Sequence, residues 1–173
     1  RGMGMTCSME YSKRASENPG RSASGGFQLE ANGKLEGVDG LVTNIPGICL
    51  VTFYADCVPL FFVDPVKKVI GLSHSGWRGT VGKIGRVTVE LMQQQYGCEP
   101  CDILAAVGPS VCRDCYEVSG DVIERFRESF AEKYWKDLFY QKENGKYQLD
   151  LWKANAIIFA EAGILPEHTA VTN

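Results

Sequence analysis

Two apolar runs separated by a short turn constrain the fold of this chain more than any other feature. The first, Val51 to Leu60, contains Cys57, and the second, Val69 to His74, leads into the turn Ser75-Gly76-Trp77-Arg78-Gly79. Apolar runs of this length predict strands, and the proline-containing segment between them predicts a tight connection. If the two strands pair, the thiol of Cys57 and the imidazole of His74 meet at one edge of a sheet.

The rest of the pattern predicts helices packed against this sheet. A capping residue before apolar side chains at helical spacing indicates a helix start, and a glycine after them favours a helix end. Strands cluster as hairpins before the first helix, which favours an α+β fold with a mixed sheet flanked by helices. The predicted strands are Ile48 to Tyr54, Leu60 to Val63, Lys68 to Ser73 and Ile103 to Val107, and the predicted helices begin at Thr80, Ser119 and Asp150, the first ending at Gly97 and the third at Gly163.

Composition limits the class of protein. A chain of 173 residues is long enough to bury the core of one domain. A formal net charge of −3 with both signs interspersed provides no basic face for nucleic-acid phosphates. The sequence has no apolar run of about 18 residues and no signal-peptide pattern, and its seven cysteines do not form the framework of a small secreted module. We therefore expect a cytoplasmic protein with reduced thiols that binds neither nucleic acid nor membrane.

Cys57 and His74 form the strongest candidate site. A thiolate and an imidazole on adjacent strands can share one Zn²⁺, or they can act as a nucleophile and its base. Each residue also has a structural explanation, Cys57 as a small buried side chain and His74 as a hydrogen-bonded histidine at a strand end. A catalytic zinc needs a third protein ligand. The other histidine of the chain, His168, lies in a surface-like turn, where we do not expect a ligand.

Two neighbours of this pair carry charges suited to a site. Arg78 presents a fork of donors that fits a phosphate or a carboxylate, although it can equally stack on Trp77 at the surface. Asp56 places a carboxylate directly before Cys57. Both residues are therefore candidates for contact with a substrate.

Four other cysteines have C-x-x-C spacing, Cys98 with Cys101 and Cys112 with Cys115. The two pairs are closer in sequence than the roughly 15 to 20 residues usual between the halves of a zinc knuckle, and a predicted strand separates them. We do not expect one zinc site made of all four. Cys115 follows the Gly108-Pro109-Ser110 break, which can bring it near the crevice.

Four segments, in their order and spacing, resemble the YfiH/laccase-domain family. They are Asp39-Gly40-Leu41-Val42-Thr43, Ala55-Asp56-Cys57-Val58-Pro59-Leu60, His74-Ser75-Gly76-Trp77-Arg78-Gly79, and Gly108-Pro109-Ser110 with Cys115-Tyr116-Glu117-Val118. The resemblance implies a YfiH-like catalytic domain over residues 38–173. Its fold has a central β-sandwich-like mixed sheet, shared with the catalytic domain of the cytotoxic necrotizing factor toxins. Residues 1–37, which are rich in turn signals, then form a flexible loop or an incomplete amino-terminal segment.

The resemblance also implies a zinc-dependent purine nucleoside enzyme. Members of the family hold zinc with two histidines and one cysteine, and they catalyse phosphorolysis of adenosine, inosine, guanosine and methylthioadenosine as well as deamination of adenosine. Carried over by motif, Cys57 and His74 are metal ligands, and Cys57, His74, Arg78 and Asp56 are the candidate catalytic residues. The implied partners are a purine nucleoside and phosphate, bound by a monomer or a homodimer.

One ligand expected from the family does not occur in this sequence. The second histidine belongs to a Gln-x-His motif that should precede Val38, and residues 1–37 contain no histidine. A Ser-Tyr-Arg-Arg-like segment expected after Asn173 is also missing, and Arg1 is not an initiator residue. We expect a chain truncated at both ends, with the third ligand upstream of Arg1, or else a chain that has lost a complete site.

Two other functions fit part of the pattern. The older family name suggests a copper-dependent polyphenol oxidase, which makes copper the alternative metal. A blue-copper centre alone uses about two histidines and one cysteine, so a chain with two histidines has none left for an oxygen-reducing cluster. A metal-independent hydrolase or deamidase would instead use Cys57 as the nucleophile and His74 as its base.

Overall fold

The computed structural model describes residues 39–172 and, before them, the backbone of three two-residue strands, β1 (Cys7–Ser8), β2 (Arg21–Ser22) and β3 (Lys34–Leu35). Strands β1 and β3 pair with each other, and β2 pairs with the main sheet. Apart from these strands, residues 1–37 lie outside the described part of the chain, and so does the prediction that they form a flexible or incomplete segment.

A six-stranded mixed sheet forms the centre of the molecule. Besides β2 it contains β4 (Gly40–Thr43), β5 (Val58–Asp64), β6 (Val69–Ser75), β7 (Leu104–Val107) and β11 (Thr169–Val171). The strands lie in the order β11-β7-β5-β6-β4-β2, and only β7 and β11 run parallel to each other. The predicted hairpin forms from β5 and β6, which pair along their whole length.

Helices lie against one face of this sheet. The helices are α1 (Trp77–Val81), α2 (Ile84–Tyr96), α3 (Gly120–Ser129), α4 (Trp135–Leu138) and α5 (Leu151–Glu161). Helix α2 packs on β4 and β6, and α5 packs on α2 and β7. Helix α2 ends at Gly97 with a φ of 66°, and the side chain of Asp150 caps α5 by accepting a hydrogen bond from the Lys153 amide, as predicted. No helix of residues 39–172 is long and apolar enough to cross a membrane.

The chain after α2 also forms a second, small antiparallel sheet. It consists of β8 (Glu117–Val118), β9 (Phe139–Gln141) and β10 (Tyr147–Leu149), in the order β8-β10-β9. A tight turn joins β9 to β10, and Gly145 takes the positive φ of 79° that this turn requires. The predicted mixed sheet flanked by helices is confirmed.

The strand predicted over Ile48 to Tyr54 is wrong. This segment is irregular, and β5 begins only at Val58, so Cys57 precedes a strand instead of ending one. Ile48 and Leu50 line an apolar cavity together with Phe61 of the sheet. The start of the segment is apolar because it lies against the sheet, and strand pairing is not the reason.

The helix predicted to start at Thr80 is also incorrect. The chain forms two helices, and the break between them falls at Gly82 and Lys83, where Lys83 has a left-handed φ of 57°. Thr80 is inside α1, and its hydroxyl donates back to the Gly76 carbonyl at 3.0 Å. The hydroxyl therefore holds the turn before α1, which is why Thr80 does not act as a cap.

The core lies between the sheet and the helices α2 and α5. Along β5 the side chains alternate, so Leu60 and Phe62 are fully buried while Phe61 and Val63 are 44% and 42% exposed on the opposite face. The Phe62 ring packs edge-on against Phe159 of α5, with ring centroids 5.3 Å apart. Burial of each such side chain contributes about 1.5–3 kcal/mol.

A buried polar network connects the end of β6 to α1 and α5. Ser75, Thr80 and Asn155 all have no exposed surface. The Ser75 hydroxyl donates to the Asn155 side-chain oxygen at 2.8 Å, and it lies 2.9 Å from the Thr80 hydroxyl. The Asn155 amide group in turn donates to the Leu151 carbonyl at 2.8 Å. Since each buried polar group has a partner, the network fixes the turn after β6 instead of weakening the core.

Asn155→Ala should destabilise the protein by about 3 kcal/mol, because it removes the acceptor of the buried Ser75 hydroxyl and the side-chain hydrogen bond to the Leu151 carbonyl, and leaves a cavity. Urea unfolding should show a lower midpoint with an unchanged slope. The control is Gln94→Ala on the exposed side of α2, which should change stability by less than about 0.5 kcal/mol. Equal midpoints for the two variants would contradict the role given to the network.

Candidate functional site

The register of the β5–β6 hairpin brings Cys57 next to His74. Pro59 pairs with His74, so Cys57, two residues before Pro59, lies level with Gly76, two residues after His74. A β-carbon built on Gly76 would lie 3.2 Å from Sγ of Cys57 and 3.5 Å from Nε2 of His74. The sulfur and the ring nitrogen therefore face one small space, which is open because residue 76 has no side chain.

The imidazole of His74 is held in a defined orientation. Its Nδ1 lies 3.3 Å from Oδ1 of Asp39, its ring stacks on Tyr54 with centroids 5.1 Å apart, and its backbone amide donates to the Asp39 carbonyl at 2.6 Å. With Nδ1 bonded to the carboxylate, Nε2 is free to act as a ligand or base. Nε2 is buried and has no hydrogen-bond partner among the described residues.

Sequence reasoning gave neither Asp39 nor Tyr54 a role at this site. Asp39 stands in one of the motifs that carry the family resemblance, but 35 residues separate it from His74. A carboxylate that far away in sequence becomes a partner of the histidine only through the pairing of β4 with β6. The motif itself was the one signal that could have suggested Asp39.

The thiol of Cys57 is not activated by the residues around it. Burial raises its pKa above the ordinary value, and the carboxylate of Asp56 raises it further. A cysteine nucleophile normally has a lowered pKa, supplied by a nearby positive charge or a helix amino terminus. Without such a charge Cys57 stays protonated near neutral pH, whereas coordination to a metal ion would remove its proton.

Arg78 and Asp56 lie beside the pair and are both exposed. The Arg78 guanidinium stacks on the Trp77 ring, 4.4 Å from its centroid, and no carboxylate of the described residues is within ion-pair distance of it. Stacking fixes the position of the guanidinium but leaves its N–H groups available to an anion. The structural and the functional explanations of Arg78 are therefore compatible.

The segment from Gly108 to Tyr116 forms a second wall. The Gly108 amide donates to the Pro59 carbonyl at 2.9 Å, and the Val111 amide donates to the Asp56 carbonyl at 3.0 Å. Burial raises the pKa of Tyr116, the negative charge of Cys57 raises it further, and Arg78 lowers it. The Tyr116 hydroxyl is thus within electrostatic range of Cys57 and Arg78, which sequence reasoning did not identify.

The donors at Gly76 fit part of a metal site. An imidazole nitrogen and a thiolate sulfur are donors that both zinc and copper accept, and the buried, unpartnered Nε2 of His74 is suited to such a role. Over residues 39–172, however, no three His, Cys, Asp or Glu side chains are grouped as a metal site. A complete site needs a third ligand in addition to Cys57 and His74.

His168 and the four remaining motif cysteines do not supply that ligand. His168 lies in the turn before β11 and lines a cavity with Val63, at the end of β5 remote from Cys57. Asp64, at this same remote end, is close enough to Cys98 to raise the pKa of its thiol, whereas the segment of Cys112 and Cys115 contacts Asp56. Because these ends of β5 are about 20 Å apart, the four cysteines do not share one zinc ion.

The chain is similar to proteins of one family over most of its length. The family model described as multi-copper polyphenol oxidoreductase laccase matches residues 11–173. Purine nucleoside phosphorylase YlmD of Bacillus subtilis (strain 168) is 40% identical over 139 residues, which is 80% of this chain and 49% of that protein. Adenosine deaminase RL5, from an unknown prokaryotic organism, is 42% identical over 136 residues, which is 78% of this chain and 51% of that protein.

Solved structures give the same result. The Bacillus licheniformis hypothetical protein YfiH superimposes with a TM-score of 0.77 at 33% identity, over 82% of this chain and 52% of that one. YlmD from Geobacillus stearothermophilus superimposes with a TM-score of 0.74 at 38% identity, over 79% of this chain and 50% of that one. The chain thus spans about half the length of the relatives it matches. Both the sequence match and the fold show that it belongs to the multi-copper polyphenol oxidoreductase laccase family, the YfiH/laccase-domain family that its motifs resemble.

Proposed function

We propose that this chain carries part of the site of a zinc-dependent enzyme that acts on purine nucleosides, by phosphorolysis and by deamination of adenosine. The observation that carries the proposal is the buried Nε2 of His74, which has no hydrogen-bond partner within residues 39–172 and faces Sγ of Cys57 across Gly76. The family implies a metal, and relatives about 40% identical are named purine nucleoside phosphorylase and adenosine deaminase.

In this proposal Cys57 and His74 hold the metal, and Asp39 orients His74. The Asp39 carboxylate fixes the proton of His74 on Nδ1, so that Nε2 presents its lone pair to the metal. Cys57 binds as a thiolate and adds a negative charge beside Asp56. A bound zinc ion supplies Lewis acidity at neutral pH. The third ligand comes from outside residues 39–172.

Arg78 is proposed to bind phosphate for the phosphorolytic reaction. Its stacked guanidinium offers several N–H donors in one plane, which suits the oxygens of phosphate. A phosphate oxygen positioned there can attack the anomeric carbon of the ribose while the purine leaves. Deamination of adenosine uses no phosphate, so Arg78 should matter for only one of the two reactions.

Neither rival function gains support from a specific contact. The raised pKa of Cys57 argues against a metal-independent cysteine hydrolase or deamidase, which needs an activated thiolate. For a multicopper oxidase, all histidine ligands other than His74 and His168 would have to come from outside these 173 residues. Stoichiometric copper, a blue absorption band and phenol oxidation by the intact polypeptide would nevertheless replace the purine proposal with the oxidase.

Cys57→Ser and His74→Ala should each lower zinc affinity by more than about 100-fold, because each removes a ligand. Asp39→Asn keeps both ligands and should lower the affinity by about 10- to 100-fold, because it removes only the partner of His74. The measurement is zinc competition with a chromogenic chelator on the intact polypeptide, together with metal content by mass spectrometry.

The matched controls for the ligand variants are His168→Ala and Cys49→Ser, which change the same residue types away from Gly76. Both should keep the zinc affinity and the nucleoside activity of the starting protein. Equal zinc binding by His74→Ala and His168→Ala would exclude His74 as a ligand.

Gly76→Ala tests the space shared by the two donors. The backbone of Gly76 has a φ of −66°, which alanine adopts without strain, so the effect should come from the added methyl group alone. At 3.2 Å from the Cys57 sulfur, the methyl group should weaken zinc binding by about tenfold or more, with little change in thermal unfolding. Gly120→Ala, which meets only the edge of Tyr147 at 3.9 Å, is the control. Unchanged zinc affinity in Gly76→Ala would show that the ion does not occupy this space.

Arg78→Ala should raise the KM for phosphate by about 10- to 100-fold, because it removes charge-assisted hydrogen bonds. Adenosine deamination, measured without phosphate, should change much less. Arg86→Ala removes an exposed arginine on α2 that pairs with Glu90, and it should leave both rates unchanged. If Arg78→Ala lowers both reactions equally, Arg78 does not have a specific phosphate role.

A further inference from the structure

The thiols of Cys112 and Cys115 are in contact at the protein surface, and the proposed function does not use them. They flank Arg113 and Asp114 in a single helical turn, Arg113–Cys115, in which the Cys115 amide donates to the Cys112 carbonyl at 3.1 Å. Their sulfur atoms lie 3.1 Å apart in a thiol–thiol hydrogen bond. Cys115 is exposed and Cys112 is partly exposed, so small molecules can reach both.

The geometry of the turn suits a disulfide. A backbone bond from residue i to residue i+3 brings the two α-carbons within about 7 Å, and disulfides form at α-carbon separations of about 4.4–6.8 Å. The two sulfurs need to approach by only about 1 Å to reach bonding distance. Closure therefore requires no rearrangement of the surrounding segment.

The two thiols also differ in reactivity. The hydrogen bond between the two side chains lowers the pKa of Cys112, and the same interaction raises the pKa of Cys115. A thiolate is the attacking species in thiol–disulfide exchange. Cys112 is thus suited to attack first, and Cys115 is suited to resolve the resulting mixed disulfide.

The other C-x-x-C pair of the chain shows that spacing alone does not produce this arrangement. Cys98 is only 1% exposed, and burial together with the nearby carboxylate of Asp64 raises its pKa to about 12. Cys101 is exposed but lies beyond Pro100 in a separate turn. Cys98 and Cys101 therefore provide an internal comparison with the same spacing and a different environment.

We propose that Cys112 and Cys115 form a reversible dithiol–disulfide couple that exchanges with small-molecule disulfides such as oxidised glutathione. The Cys112 thiolate attacks one sulfur of oxidised glutathione, which forms a mixed disulfide and releases one glutathione thiolate. Cys115, after losing its proton to solvent, attacks the Cys112 sulfur, which forms the intramolecular disulfide and releases the second glutathione thiolate. Overall, the two protein thiols are oxidised and one glutathione disulfide is reduced to two glutathione thiols.

The couple lies at the edge of the candidate site and is fixed on both sides. Before the turn, the Val111 amide donates to the Asp56 carbonyl at 3.0 Å. Within the turn, the Asp114 carbonyl accepts a hydrogen bond from Gln148 at 2.7 Å. These contacts hold the two thiols together in the reduced state. The proposal depends on this geometry and not on the metal or the nucleoside activity.

To test this, the intact polypeptide is equilibrated in glutathione buffers that contain an increasing fraction of oxidised glutathione. The remaining free thiols are then alkylated, and the tryptic peptides are analysed by mass spectrometry. Trypsin cleaves after Arg113, between the two cysteines, so the disulfide links two tryptic peptides that separate on reduction. Fragmentation of the linked species should assign the bond to Cys112 and Cys115. In the same sample, Cys98 and Cys101 should stay reduced and should therefore be recovered in alkylated form.

Variants identify the order of attack. Cys115→Ser should accumulate a mixed disulfide with glutathione on Cys112, since nothing resolves it, and Cys112→Ser should form no linked peptides. In the starting protein, a limiting alkylating reagent should modify Cys112 at least about tenfold faster than Cys101. Cys101→Ser is the matched control and should form the Cys112–Cys115 bond as readily as the starting protein.

Two results would overturn the proposal. One is alkylation of Cys112 and Cys115 throughout the glutathione series, with no linked peptides at the highest oxidised fraction. The other is equal formation of mixed disulfides on Cys49, Cys101, Cys112 and Cys115, which would show that exposure alone decides reactivity. Circular dichroism of each variant separates these results from a loss of folding.

Discussion

The pairing register of β5 and β6 is the constraint on which the candidate site depends. Pro59 opposite His74 places Cys57 level with Gly76, so that a sulfur and a ring nitrogen face the same gap. A slip of one residue would turn the His74 side chain to the other face of the sheet and separate the two atoms. The register is enforced by β5 itself, since Leu60 and Phe62 must face the core while Phe61 and Val63 lie on the opposite face. Core packing and site geometry thus follow from one alternation of side chains.

The end of β6 is fixed from three directions, which allows the open space at Gly76. The buried hydroxyls of Ser75 and Thr80 join the turn to Asn155 of α5, and Asp39 holds the far side of His74. A glycine at position 76 would by itself leave the turn flexible. Because the hydrogen bonds come from neighbouring elements, the turn keeps its shape without a side chain of its own. The site is therefore preorganised by groups that do not touch the shared space.

Local patterns in the sequence were sufficient for the hairpin, the end of α2 at Gly97 and the cap of α5 at Asp150, because each depends on residues close together in the chain. They failed where a side chain serves a distant partner. Ile48 and Leu50 are apolar because they line a cavity against the sheet, and Thr80 joins a buried network instead of capping a helix. The roles of Asp39 and Asn155 could not be predicted from spacing, since their partners lie 35 and 80 residues away. Cys57 and His74 were brought together as predicted, while their role as ligands remains a proposal.

The cysteines illustrate why residue type and spacing do not determine chemistry. Cys57 is partly buried beside a carboxylate, which keeps its thiol protonated until a cation approaches. Cys98 is buried against Asp64, where ionisation is strongly disfavoured. Cys112 and Cys115 share a proton-donating contact at the surface, so one thiol lowers the pKa of the other. Two C-x-x-C pairs of equal spacing thus differ in reactivity because one has a buried member and the other has both sulfurs in contact near solvent. Burial and the nearest charge decide whether a thiol in this chain packs, binds a cation or exchanges electrons.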